Sequence, residues 1–290
     1  MKLLAKFNLI IGLVLGGALG IAAVVSHRFL QDDARQQVLR QARLMMEAMR
    51  SARAYTTDEI KPLLVNQQEH QRSFLPETVP AFAATESFDY LRKRYPDYAY
   101  KEATLNPTNL RDRAADWEAD LINAFRNHRA SGELVGERDT PTGRSLYLAV
   151  PIQADPPCLE CHSTPHAAPA AMIRHYGSNN GFGWQPNEIV GAQIVSVPEA
   201  LPVRIANKAF QELILYLAAV FIASLILLDV VLLFTVVRPL RNLSTMADQI
   251  SLGQMDMPEL HAGGKDEISV LAGSFNRMRR SLERALKMLG

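Results

Sequence analysis

Two cysteines in 290 residues are too few to staple a small domain with disulfides. An excess of either charge is missing too: 31 Lys and Arg stand against 30 Asp and Glu, with a sequence pI near 7.8. Without a basic surplus there is no surface to neutralise phosphates, so nucleic-acid binding is excluded first. Sixteen Gly and 16 Pro exclude a collagen-like or low-complexity chain. Internal repeats and long polar linkers are absent from the sequence. So are a nucleophile beside a base, a phosphate loop and paired carboxylates in a recognisable frame, and an enzyme is not expected.

What the chain does have is two apolar blocks, hidden by a mean hydropathy of −0.04. Leu9 to Val25 carries no charge and is flanked by Lys2 and Lys6 on one side and His27, Arg28 and Asp32 on the other. A block this short fits a cleaved leader as well as a retained anchor; the second block favours the anchor. That block, Leu213 to Val237, is interrupted only by Asp229, and at ~1.5 Å per residue it spans ~37 Å, enough for a tilted crossing. Membrane helices are therefore expected at 9–26 and 213–237, in contact with lipid. Lys2 and Lys6 before the first, with Arg238 and Arg241 after the second, place both ends in the cytoplasm of a bacterial inner membrane. Residues 27–212 then form a periplasmic domain long enough for its own core. A carboxyl within a membrane helix is costly and faces protein or water, so Asp229 reads either as a switch or dimer contact or as a side chain reaching the interface.

Beyond the membrane, Leu240, Leu243, Ala247 and Ile250 follow Pro239 at helical spacing as far as Gly253. A connector with Met255, Pro258, Leu260 and Gly263-Gly264 leads to Asp266-Glu267. Ile268, Leu271, Phe275, Met278, Leu282, Ala285 and Leu289 then repeat three-four, the pattern of a parallel coiled coil. Two short amphipathic helices need a copy of themselves to pack against. Residues 238–290 resemble a HAMP domain in Pro239, Gly253, Met255, Leu260, Asp266-Glu267-Ile268 and Ser274-Phe275-Asn276-Arg277-Met278, departing from it at Ser269. The resemblance implies a homodimeric relay, whereas a plain coiled-coil stalk would serve only as a tether. No kinase, cyclase or methylation segment follows Gly290, so output is expected through a cytoplasmic partner in trans or through the rest of a longer receptor.

Both cysteines fall in Cys158-Leu159-Glu160-Cys161-His162, after Pro156-Pro157. Two thiols at this spacing can add to the two vinyl groups of a haem while the adjacent imidazole reaches the iron, which is the c-type attachment signature. Cys158 and Cys161 are then the thioether residues of one covalent haem, and His162 is its proximal iron ligand. Three rivals remain: a disulfide, a zinc site drawing on His166 or His175, and a redox dithiol. A dithiol should open a helix after a strand, whereas Pro156-Pro157 and Ser163-Thr164-Pro165 read as an irregular loop.

Helical spacing marks a long amphipathic helix from Gln31 to Ala54 and further helices over Asp58 to Gln71 and Leu110 to His128. Tyr98 to Leu105, Gly132 to Glu137, Ser145 to Ile152 and Glu188 to Val197 read as strands, giving an α+β domain with an antiparallel sheet. Over roughly residues 30–210 the chain resembles the PAS-like c-haem sensor domain first described in cyanobacteria. The resemblance rests on Arg53-Ala54-Tyr55-Thr56, Lys61-Pro62-Leu63-Leu64, Tyr95-Pro96-Asp97-Tyr98 and Asn106-Pro107-Thr108-Asn109. It continues through Ala115-Asp116-Trp117-Glu118, the Cys-Leu-Glu-Cys-His run, and Gly181-Phe182-Gly183-Trp184 leading into Ile189-Val190-Gly191-Ala192. It implies a small sheet with long flanking helices around one haem, and a sensory role.

Within that family a cysteine near the start of the domain is known as the second axial ligand. This sequence has no cysteine outside the motif, so the role does not carry over. Met45, Met46, Met49, Met172 and His175 are the candidates for the sixth position, and an iron left five-coordinate would bind gas. Arg53, Arg111, Arg113 and Arg174 are candidates for the haem propionates, and Trp117 and Trp184 for core or pocket packing. His70 and His128 read as solvated, and His27 as marking the membrane edge. The expectation is a dimeric membrane receptor sensing redox state or a diatomic gas and relaying it through HAMP. Its rivals are a membrane-anchored monohaem electron-transfer cytochrome with a redox partner, and a haem-free small-molecule receptor.

Overall fold

Strand β3 (Gly143–Gln153) buries Leu146, Leu148 and Val150 on one side and Ala149 on the other, so its residues serve two cores with the period of two that a strand imposes. Strand β4 (Ile189–Pro198) divides in the same way, Val195 and Val197 against Ala192 and Ile194. With β1 (Ala99–Thr104) and β2 (Leu134–Thr140), these strands form an antiparallel sheet of order β1-β4-β3-β2. All four strands expected from the sequence are present with only their ends shifted.

The computed structural model describes residues 3–64, 73–128, 132–141, 143–254, 256–261 and 263–289. They form two units, residues 28–208 and residues 1–27 with 209–290. In the first unit, helix α1 (Leu3–Tyr55) lays Ala34, Val38, Ala42 and Met46 along one buried stripe. The last three of these pack with Phe88 and Ala84 of helix α3 (Pro80–Arg92) on Tyr100, Leu146, Leu148, Val150, Val195 and Val197. On the opposite face, helix α4 (Asp116–Arg126) sets Ile122 and Phe125 on Ala103, Ala149, Ala192 and Ile194. Each of these large side chains contributes about 1.5–3 kcal/mol by leaving water.

Two expected helices are corrected. The one expected over 58–71 is an extension of α1: a wider π turn at Thr56–Ile60, then α2 (Lys61–Leu64). Pro62 has no N–H to give to a regular ladder there. The rest of that stretch, His70 included, lies outside the described residues. The helix expected from Leu110 begins only at Asp116. A short bridge draws Arg113 to Thr104 of β1, and Leu110–Asp112 makes a single tight turn. Glu118 then accepts the Ala115 N–H at 2.8 Å, and the acidic first turn suits the positive end of the helix. Helix α3 was not expected.

Among the short helices, α5 (Pro156–His162) and α6 (Ala170–Tyr176) follow β3. The long α7 (Ala200–Leu232) leads through a π turn to α8 (Arg238–Ser251). Helix α9 (Glu267–Leu289) is capped by Asp266, whose Oδ1 accepts the Ser269 N–H at 2.7 Å. Two helical stretches, Leu4–Leu64 and Ala200–Ser251, contain windows long and apolar enough to cross a membrane.

Within the second unit, Leu243, Met246 and Ile250 of α8 are buried. Met246 takes the inward place expected for Ala247, which is exposed. On α9 the buried positions are Ala272, Asn276 and Arg279. Leu271, Met278 and Leu282 of the expected three-four row stay exposed in the single chain. Met255 lies outside the described residues.

Candidate functional site

Helix α5 carries the Cys-Leu-Glu-Cys-His run. Pro156 and Pro157 occupy its first turn, where a missing N–H leaves no bond unmade, and the Cys158 N–H donates to the Asp155 carbonyl at 2.9 Å. This corrects the loop expected around the motif. One turn of helix puts Cys161 three residues and His162 four residues beyond Cys158, so all three side chains leave from one face. Both thiols are free and half-buried.

The loop at 181–184 fixes the imidazole. Gly183 and Trp184 donate their N–H groups to the carbonyls of Ser163 and His162, at 3.0 and 3.2 Å, using acceptors that the end of a helix leaves open. The Trp184 indole stacks on the His162 ring, centroids 4.1 Å apart and 14° from parallel. His162 Nδ1 lies 2.7 Å from the Gly181 carbonyl and 3.4 Å from Thr108 Oγ1. A carbonyl only accepts, so Nδ1 carries the proton and the Nε2 lone pair is left for a metal. Burial holds the imidazole below its ordinary pKa, with the Gly181 hydrogen bond opposing, so at neutral pH the ring is in its ligating form. Gly181 has φ +83°, and a Cβ there would run into Thr108. Nothing in the sequence singles out Thr108 or Gly181 for a role, although both lie in the stretches that carry the family resemblance.

The surroundings are polar and largely paired. Lys61 Nζ lies 3.7 Å from Glu160, and Arg53 lies within electrostatic reach of Cys158. Arg53 is ion-paired with buried Glu102, which also accepts from the Tyr100 hydroxyl at 2.7 Å. Gln193 completes the chain by donating to that hydroxyl at 3.2 Å. Burial, followed by the Glu102 charge, drives the Tyr100 hydroxyl far above its ordinary pKa, and Tyr100 remains a donor.

The other candidates separate. Met46 is enclosed in the α1 core, with Met45 and Met49 packed against it. Met172 is buried on α6, and exposed His175 meets the Tyr176 ring edge-on at 4.4 Å. Arg111 pairs with Glu86 at 2.6 Å and Asp112 at 3.6 Å. Arg113 and Arg174 are exposed. Trp117 stands apart from the motif, over Tyr147 with Arg138 on its face. His128 and His166 are exposed, and His27 meets the Phe210 ring at 5.1 Å. Among the described residues no three His, Cys, Asp or Glu groups gather as a metal cluster. The dithiol rival loses the objection first raised against it, since the motif does open a helix. A different one replaces it: burial pushes the Cys161 thiol above its ordinary pKa, away from an activated thiolate.

The described architecture is an antiparallel sheet flanked by helices, with two helical stretches apolar enough to cross a membrane and a C-terminal amphipathic pair. Residues 31–198 match the Tll0287-like family (Tll0287) and residues 231–284 match the HAMP domain; the chain belongs to the Tll0287-like family. Among solved structures, the one titled as the crystal structure of the cyanobacterial haem-protein Tll0287 matches at 13% identity and a TM-score of 0.43. The match covers 55% of this chain and 94% of that one. Comparison with curated proteins gave no match. The combination of the two matched domains is that of a signal-transducing sensor.

Proposed function

We propose that the chain is a periplasmic c-type haem sensor, with Cys158 and Cys161 as the two thioether residues and His162 as the proximal ligand. The observation that carries this is the His162 imidazole, neutral and oriented through Nδ1 by Gly181 so that Nε2 keeps its lone pair, on the helix face that bears both thiols. The family match supports the cofactor class, since a relative bearing the family's name is a haem protein. Haem bound there would supply an iron whose charge or ligation responds to redox state or a diatomic gas. The protein's part is to hold the imidazole against Trp184 and to set Arg53 and Lys61 beside the motif. The unpartnered row of α9 fits a HAMP homodimer as the relay, with α7 as the element that reaches it from the domain.

The test is expression of the full chain with cytochrome c maturation, followed by a haem-stained denaturing gel and a pyridine haemochrome spectrum. A covalent haem band that disappears in the Cys158→Ala/Cys161→Ala variant is the expected result. A haem-free chain under those conditions overturns the proposal and returns the two thiols to a dithiol or disulfide.

A further inference from the structure

Where β4 ends and α7 begins, Glu199 is 7% exposed and its Oε1 is buried with no hydrogen-bond partner among the described residues. Its backbone is fixed on both sides. The Glu199 N–H donates to the Arg144 carbonyl at 3.0 Å, and its own carbonyl accepts the Val203 N–H at 3.1 Å, the first bond of α7. The side chain therefore sits at the joint between the sheet and the helix that runs on into the apolar segment.

Three elements present charge to this carboxyl: Glu137 from β2, Arg144 from β3 and Arg35 from α1. Both arginines are already taken. Arg35 Nε lies 3.2 Å from one oxygen of Glu137 and Arg144 Nη1 3.5 Å from the other, with Asp139 a weaker partner of Arg144 at 3.9 Å. Both guanidinium groups are thus engaged by Glu137, with Asp139 also on Arg144, while Glu199 Oε1 has no hydrogen-bond partner among the described residues.

We propose that Glu199 is a proton-operated switch at the β4–α7 joint, neutral in the arrangement described and, once ionised, a competitor with Glu137 for Arg144 and Arg35. An ionised carboxylate cannot stay buried without a partner, and the cations within its electrostatic reach are arginines that also tie β2 to β3 and α1. Re-pairing would turn the first residue of the α7 joint relative to the sheet, a two-state change set by a local charge. Burial first, and the Glu137 charge second, hold the Glu199 carboxyl above the usual carboxylate range, with Arg144 and Arg35 opposing. The sign follows: the neutral arrangement is favoured at low pH and lost as pH rises through the folded-state pKa. The input is periplasmic acidity in the topology proposed above, and it does not require haem.

Hydrogen exchange on the full chain in nanodiscs tests it, with rates corrected for the intrinsic pH dependence. Protection across residues 198–204 is expected to fall about tenfold between about pH 5 and about pH 8 and to be flat in Glu199→Gln. Glu137→Gln, by freeing the arginines, should move the midpoint to lower pH. Arg35→Gln should move it to higher pH. A flat wild-type profile overturns the proposal, as does a Glu199→Gln profile that follows wild type or midpoints unmoved by the other two variants.

Discussion

The indole of Trp184 covers the imidazole of His162 face to face, 4.1 Å between centroids, while the Trp184 N–H bonds the carbonyl of His162 itself. One residue thus holds both the ring and the backbone of the proposed iron ligand. This fits a site that must keep one imidazole orientation whether or not its sixth position is filled.

Trp184→Ala removes the stack and leaves the backbone bond. Aromatic pairs contribute about 0.5–1.5 kcal/mol beyond the area they bury, so a loss of about 2 kcal/mol in urea unfolding is expected, with Trp184→Phe recovering most of it. The holoprotein spectrum should broaden in the alanine variant as the imidazole gains freedom. An unchanged unfolding midpoint would show that the stack contributes nothing to the fold.

Gly181→Ala asks more of the same loop. The positive φ disfavours any side chain, and the new methyl meets Thr108, so the loop must move and take the Gly181 carbonyl away from Nδ1. Haem per polypeptide, measured by pyridine haemochrome against total protein, is expected to fall several-fold, more than for Trp184→Ala. Thr108→Ala/Gly181→Ala should recover part of the loss, because it removes the collision and leaves only the backbone strain.

These loop residues mark the boundary of what the sequence disclosed. The β1, β3 and β4 stretches were readable because alternating apolar and β-branched residues have one solution, a strand with two packed faces. The cysteines and His162 were readable because their spacing is itself the chemistry. Gly181 and Thr108 could not be assigned a task, since the contact between them is set by a loop that returns across 19 residues to His162. Helix α3 was missed for a different reason. Its buried face is only Ala84 and Phe88, too thin a stripe to register as periodic. The sequence around α5 reads as loop because prolines usually end helices, yet here they start one.

Phe88 nevertheless anchors that thin helix. Its ring is fully enclosed and lies 5.7 Å from the Tyr100 ring, among Val38, Met46, Leu146 and Val195. Phe88→Ala leaves a cavity the sheet cannot close, and a cost of about 3–5 kcal/mol is expected, measured by chemical denaturation followed by circular dichroism. A value under about 1 kcal/mol would mean that α3 does not pack as described.

Asp112 gives a pH dependence of known sign. Burial raises its carboxyl to about 6, with the Arg111 charge opposing, Glu102 adding and Lys101 opposing. A raised folded-state pKa means stability present in full below the unfolded value of 3.8 and lost as pH rises through about 6. The loss is on the order of 2 kcal/mol, and Asp112→Asn should abolish this part of the slope and stabilise the protein at neutral pH. Urea midpoints at closely spaced pH values would read it, and a variant whose slope matches wild type would reassign the titration to another group.

Within the apolar segments of α1 and α7, the Asn8 amide donates to Asp229 Oδ2 at 3.0 Å. The remaining oxygens, Asn8 Oδ1 and Asp229 Oδ1, are buried with no hydrogen-bond partner among the described residues, and the pair is half-buried between α1 and α7. The carboxyl turns toward a helix of its own chain, a partner the sequence did not name. Hydrogen bonds between membrane helices contribute about 0.6–2 kcal/mol, and a polar group stranded in hydrocarbon costs more than the bond returns. Asn8→Leu and Asp229→Leu should therefore each destabilise the helix pair in detergent unfolding. The double variant should lose less than the sum of the two, and Asp229→Asn should stay near wild type. Strict additivity of the two leucine variants would show that the residues do not touch, and the contact would then have to be dropped from the membrane packing.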